Sequence, residues 1–170
     1  VIGIADAFTV LQARIARLSP DIDTAKQTFS ELINIAQTTG ASVADTARLW
    51  ESLTASLKDM GATNPQILQL TETLQKIGTI GGSSATEMSL ALRQFGQSIS
   101  AGIVRAEEFN SIVENMPELA RQIAKGMGIP FNELRQQMLA GKITAEDALQ
   151  AIQAQASTVS AEFDKMPVSV

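Results

Sequence analysis

Two segments of this chain have nearly the same sequence, and the second lies 39 positions after the first. They cover residues 95–109 and 134–148. The identical positions are Gln97, Ala101, Gly102, Ala106 and Glu107, which recur as Gln136, Ala140, Gly141, Ala145 and Glu146. Each copy predicts a helix that ends at a glycine, a short extended step and a second helix, because glycine adopts the left-handed conformation without a Cβ clash. The repeat therefore favours short helices that fold back on one another.

Composition agrees with a helical protein throughout. The chain has 170 residues, of which 45% are hydrophobic and 18% are charged. This is an ordinary globular balance, with enough length to bury a core. Apolar residues recur at helical spacing, and no segment alternates as a strand does. The sequence thus predicts an all-α, compact multi-helix domain of about eight or nine helices with turns defined by Gly and Pro. Trp50 lies on an apolar helix face and is expected to be a core anchor.

The organisation along the chain predicts three parts. These are a first helix at 1–18 that continues an upstream coiled coil, a helical subdomain at 19–82, and a module at 83–166 that holds the repeat. The chain starts with Val in mid-pattern, which suggests a fragment of a longer protein. The first helix has a candidate self-association seam with spacings of four and three: Ile4, Phe8, Leu11, Ile15 and Leu18. The alternative is an amphipathic helix that docks on the core of its own domain, and this simpler reading has more weight.

Residues of the repeat and its surroundings are predicted to form turns and helix caps. The candidates are Gly102, Glu108, Pro117, Gly128, Gly141, Thr144 and Asp147. Thr144 with Asp147 forms a Thr-x-x-Asp start, and a carboxylate in a first helical turn interacts well with the helix dipole. In the first copy Arg105 stands where the second copy has Thr144, so that helix start is expected to be weaker.

No catalytic, cofactor-binding or metal-binding residue is predicted. The chain has no histidine and no cysteine, which removes the commonest general base and the thiolate metal ligands. The adjacent acids at 107–108 and 146–147 would point about 100° apart on a helix, which suits capping better than acid–base catalysis. The glycine-rich segment at 81–84 lacks the Lys-Ser or Lys-Thr pair of a phosphate-binding loop and is read as a tight turn or hinge.

Charge and hydropathy restrict the partners. The net charge is −5, without a cluster of basic residues, and the helices after Gly102 and Gly141 begin with acids. Sequence-specific binding of nucleic acid is therefore not expected. No apolar run approaches the ~20 residues of a membrane span. The weakly charged segment at 77–104 nevertheless leaves a membrane-active helix as an alternative.

The most specific pattern runs through the second half of the chain. It consists of Gly102, Glu107-Glu108-Phe109, Met116-Pro117, Leu119, Ala124, Gly128-Ile129, Leu134, Gly141-Lys142-Ile143-Thr144-Ala145, Leu149 and Ile152. Residues 84–156 resemble, on this pattern, the conserved N-terminal domain of phage tail tape measure proteins. The helices before about residue 82 resemble the rest of that domain more loosely.

The resemblance implies a structural protein of the virion tail that is assembled in the bacterial cytoplasm. In that family a long helical chain sets the tail length while tube subunits assemble around it, and it is later expelled. The implied partners are tail tip or initiator proteins, tail tube proteins, tail assembly chaperones and other copies of the chain, with transient membrane contact at ejection and no cofactor. A ruler should be extended, whereas this segment folds back. We therefore expect a module that anchors the ruler. The alternative is a membrane-active or peptidoglycan-associated helical domain that acts during genome ejection.

Overall fold

A computed structural model describes the backbone of residues 4–167 and the side chains of residues 6–167. Within this range the chain forms nine α-helices and no β-strand, which confirms the predicted all-α fold. The helices are α1 Ile4–Arg17, α2 Ile22–Thr39, α3 Val43–Leu57, α4 Asn64–Ile80, α5 Ala85–Ala101, α6 Ala106–Asn115, α7 Pro117–Met127, α8 Phe131–Leu139 and α9 Ala145–Asp164. A 3-10 turn, Lys58–Met60, follows α3.

The helices belong to two compact units. Unit 1 ends at Thr71 and unit 2 begins at Glu72, so the division falls within α4. The parts expected from the sequence, 1–18, 19–82 and 83–166, have their limits in the turns that follow α1 and α4. Whether these parts fold or act separately stays a prediction.

Unit 1 is organised around a buried tryptophan. Trp50 on α3 is 1% exposed, as its place on an apolar helix face predicted. Its indole Nε1 donates to Asn64 Oδ1 at 3.0 Å, and Asn64 Nδ2 donates to Thr28 Oγ1 at 2.8 Å. A buried N–H without a partner would cost free energy. This short chain of hydrogen bonds satisfies the indole and joins α2, α3 and the start of α4.

The first helix packs within unit 1. Ile15 is 2% exposed, whereas Leu11 and Leu18 are half-buried. The ring of Phe8 lies edge-on to Phe29 of α2, with centroids 6.0 Å apart. The side chain of Ile4 lies outside the described residues. Because Ile15 is a core residue of unit 1, the docked amphipathic helix accounts for it, and the self-association seam stays a hypothesis.

Unit 2 is held together by close helix contacts at glycines. A Cβ at Gly126 of α7 would lie 2.1 Å from the carbonyl oxygen of Ala151 in α9, so the backbones of α7 and α9 meet there. A Cβ at Gly78 of α4 would likewise collide with the side chain of Met88 in α5. The Gly126 contact lets α7 and α9 approach more closely than a side chain would permit, whereas at Gly78 the flexible Met88 side chain could move aside.

Candidate functional site

The two copies of the sequence repeat meet through their turns. Ile103 and Thr144 form an isolated antiparallel bridge. The backbone N–H of Val104 donates to the carbonyl oxygen of Ile143 at 3.1 Å, and that of Ala145 donates to the carbonyl oxygen of Gly102 at 3.1 Å. In this register Val104 and Ile143, which are equivalent positions of the two copies, lie opposite each other. The resulting pair of turns, residues 102–106 and 141–145, is here called the turn pair.

The glycines of the turn pair have the backbone conformation that the repeat requires. Gly102 has φ of 81° and Gly141 has φ of 71°, both in the left-handed region. Neither position is crowded, since a Cβ would meet nothing within 4 Å. The need for glycine is therefore set by the backbone alone. Gly128, with φ of 71°, follows the end of α7 in the same conformation.

The helices that leave the turn pair begin differently. At α9 the Thr144 hydroxyl accepts from the Asp147 N–H, and Asp147 Oδ2 accepts from the Thr144 N–H, both at 3.0 Å. This is a reciprocal capping box. At α6 the Arg105 N–H donates to Glu108 Oε1 at 3.2 Å, while the Arg105 side chain caps nothing. The first copy thus retains only half of the capping arrangement.

Glu108 has a second role that the sequence did not indicate. It is 4% exposed, and its Oε1 also accepts a hydrogen bond from the Ser98 hydroxyl of α5 at 3.1 Å. A buried carboxylate needs such donors to offset lost hydration. Glu108 therefore holds α6 to α5 as well as starting α6. The sequence reading missed this because Ser98 looks like an ordinary helix residue.

Equivalent apolar positions of the two copies are buried in unit 2. The pairs of equivalent positions Phe95/Leu134, Ile99/Met138 and Val104/Ile143 are all buried. Phe109 of α6 also contacts Phe131 of α8, with ring centroids 6.3 Å apart. The two copies therefore share one core, which explains why these positions differ only conservatively.

Pro117 begins α7 next to this core. It occupies the first turn of the helix, where its missing N–H costs nothing. Glu118 follows and binds Arg121 Nε at 2.8 Å and Gln122 Nε2 at 3.1 Å. Gln122 is fully buried and its Oε1 accepts from Gln155 Nε2 of α9 at 2.9 Å. A polar network thus connects the start of α7 to α9.

The chemistry of the described residues is that of caps and packing. The pKa values of Asp21 and Glu87 are lowered, the first mainly by the backbone N–H of Thr24 and the second mainly by the backbone N–H of Ser84. Both are exposed helix-start residues. Among residues with described side chains, no group of three or more acids could hold a metal ion. None of the described helices combines the length and apolar character that a membrane span requires.

The fold and the turn pair define a class of protein: an all-α module of short, capped helices that contains two copies of one helix–turn–helix unit. The family model described as "Tape measure protein" matches residues 1–170, and the chain belongs to that family. Membership gives the chain a structural role in the phage tail and a location there. No curated protein and no solved structure matches it.

Proposed function

We propose that this chain is the folded anchor of a tail tape measure protein, and that it holds the length-determining ruler at the tail tip or initiator complex. The observation that carries the proposal is the repeated folding back of short helices. The longest, α9, has 20 residues, which corresponds to about 30 Å of helix.

A segment that measures tail length should be extended, whereas these helices fold back on one another. A continuous helix as long as the described chain would extend roughly 250 Å at about 1.5 Å per residue. Here the same residues fold into two compact units with buried cores. Adding residues to a folded unit does not lengthen it in proportion. This module therefore suits a fixed end, and the extended part of the protein suits the ruler.

The test compares an anchor defect with a ruler defect in the full-length tape measure protein of the phage. Gly126→Ala, which disrupts the α7–α9 contact, should lower the number of tails and leave the length of the remaining tails unchanged. An in-frame deletion in a continuous helical part should shorten tails in proportion. Tail lengths are measured by electron microscopy of purified particles. Gly126→Ala tails of uniformly altered length would contradict the anchoring role.

We further propose that its partners are tail tip or initiator proteins first, then tube proteins, with assembly chaperones in the host cytoplasm. Exposed lysines of both units, Lys26 and Lys142, give cross-linking positions. Assembly intermediates isolated before tube growth should yield cross-links from these lysines to tip proteins. Cross-links to tube subunits alone would overturn the order of assembly proposed.

A further inference from the structure

The two halves of α9 are attached to unit 2 in different ways. The first half begins with the Thr144–Asp147 capping box. It buries Ala145, Ala148, Ala151 and Ile152. Ala151 also lies against Gly126, with no space for a side chain between the backbones. Such close apolar packing gives strong local stability.

The second half, residues 153–164, has one buried apolar side chain and is otherwise attached through side-chain contacts with α4 and α7. Val159 is its one fully buried side chain. Gln155 Nε2 donates to Gln122 Oε1 at 2.9 Å. Lys76 of α4 donates from Nζ to Ser160 Oγ at 3.3 Å, and the same Nζ lies 5.4 Å from the centroid of the Phe163 ring. Few buried apolar contacts are typical of segments that open locally.

Burial of Lys76 lowers the free energy that is needed to detach this second half of α9. It is 8% exposed, so its ammonium group has lost most of its water. Glu72, on the same helix, offsets part of this cost at 3.4 Å, and Ser160 and Phe163 of α9 offset more. When residues 153–164 move away, Lys76 keeps Glu72 and regains water. Hydration of the Lys76 ammonium group therefore offsets part of the free energy that detachment of residues 153–164 requires.

We infer that residues 153–164 form a strap that detaches from α4 and α7 before the rest of unit 2 unfolds. The first half of α9 stays in place through its cap and its contact with Gly126. Detachment exposes Val159 and Lys76. Because α9 is one continuous helix, residues 153–164 leave by unwinding from about residue 153, which also frees their amides. This gives unit 2 a closed and an open state of the strap, and it holds whether or not the module is the anchor proposed above.

Native-state hydrogen exchange followed by mass spectrometry tests the strap in the whole chain. Amides of residues 156–164 should exchange through an opening that is nearly independent of denaturant. Amides of α7 and of residues 148–152 should need a larger, denaturant-sensitive opening. The same opening free energy throughout unit 2 would overturn the inference.

Phe163→Ala removes the ring beside Lys76 and should raise exchange of residues 156–164 by about three- to thirtyfold, in line with the range of cation–π energies. Exchange in α7 should not change. Phe131→Ala is the matched control, because Phe131 is also a half-buried aromatic residue of unit 2. It should affect α6 and α8 and leave the strap unchanged. Equal acceleration across unit 2 by Phe163→Ala, or none in the strap, would refute the mechanism.

Discussion

The backbone N–H of Val104 donates to the carbonyl oxygen of Ile143 at 3.1 Å, so equivalent residues of the two sequence copies lie opposite each other. Both side chains are 1% exposed. The duplicated sequence is therefore also a paired structure with a common core. A change at one turn should therefore be felt by both helix pairs.

Gly141→Val should destabilise unit 2 by about 1–2 kcal/mol, because a β-branched residue is strained in the left-handed conformation. The φ of Gly141 is 71°. Chemical denaturation measures the change in free energy of unfolding. Gly141→Asn is the control and should retain most of the stability, since asparagine tolerates this region. A melting temperature of Gly141→Val equal to that of the parent chain would contradict the turn geometry.

Gly126→Ala should destabilise the chain by about 3 kcal/mol through overpacking. Helix propensity alone would make the alanine variant more stable by about 1 kcal/mol. A loss of stability would therefore indicate that the clash between α7 and α9 dominates. The cause is the contact with Ala151, whose carbonyl oxygen lies 2.1 Å from the position of the added Cβ. Lys125→Ala, at the exposed neighbouring position, should change the denaturation midpoint little. A stabilised Gly126→Ala variant would mean that α7 and α9 can separate freely.

Arg105→Thr should stabilise α6 by about 1 kcal/mol, because it supplies the hydroxyl that caps the equivalent helix. Arg105 is exposed and its backbone N–H already donates to Glu108. Thr144→Ala, which removes the capping hydroxyl of α9, should destabilise the chain by a similar amount. Thermal unfolding of both variants measures the two effects. Identical responses at Arg105 and Thr144 would argue against the difference between the two helix starts.

Ile15→Asp should unfold unit 1 in a monomeric chain, since the new carboxylate would replace a side chain that is 2% exposed. Circular dichroism and light scattering measure helix content and mass together. Val10→Asp, on the same helix but 52% exposed, is the control and should keep the fold. If Ile15→Asp lost self-association while unit 1 stayed folded, the seam hypothesis would gain support and the core assignment would fall.

Acid should weaken the starts of α2 and α5. The pKa values of Asp21 and Glu87 lie below their ordinary values of 3.8 and 4.5 because both carboxylates accept helix-start hydrogen bonds. Lowered folded-state pKa values stabilise the fold above the unfolded-state values, and this stabilisation is lost as pH falls through the folded-state values. The free energy of unfolding should therefore decline below about pH 4.5.

Asp21→Asn should make that decline shallower. Asparagine is as good a helix cap as aspartate and does not titrate. Denaturant unfolding at a series of acidic pH values measures the slope for the parent chain and the variant. An unchanged slope would show that Asp21 has the same pKa in the folded and unfolded chain.

The sequence predicted what local chemistry determines and missed what depends on distant segments. The capping box of Thr144 with Asp147 could be read from its spacing. Gly128 was predicted to lie at a turn, whereas its neighbour Gly126 drew no prediction of its own. Only the contact of Gly126 with Ala151 identifies it as a packing residue within α7.

Burial of charged residues was equally hidden. Lys76 and Glu108 are buried and make hydrogen bonds with Ser160 and Ser98 in the folded unit, and no spacing along the chain indicates this. The bridge between Ile103 and Thr144 could not be foreseen either, since so short a pairing leaves no alternating pattern.

The bridge between Ile103 and Thr144 also closes a long loop within unit 2. It joins positions about 40 residues apart, and the entropy of closing such a loop must be overcome before the pairing contributes stability. Helices α6, α7 and α8 lie inside this loop, and their formation before the pairing would shorten the distance that the loop must close. A chain cut at Gly128 would place α6 and α9 on separate pieces. The meeting of Val104 with Ile143 would then depend on protein concentration instead of on the chain between them.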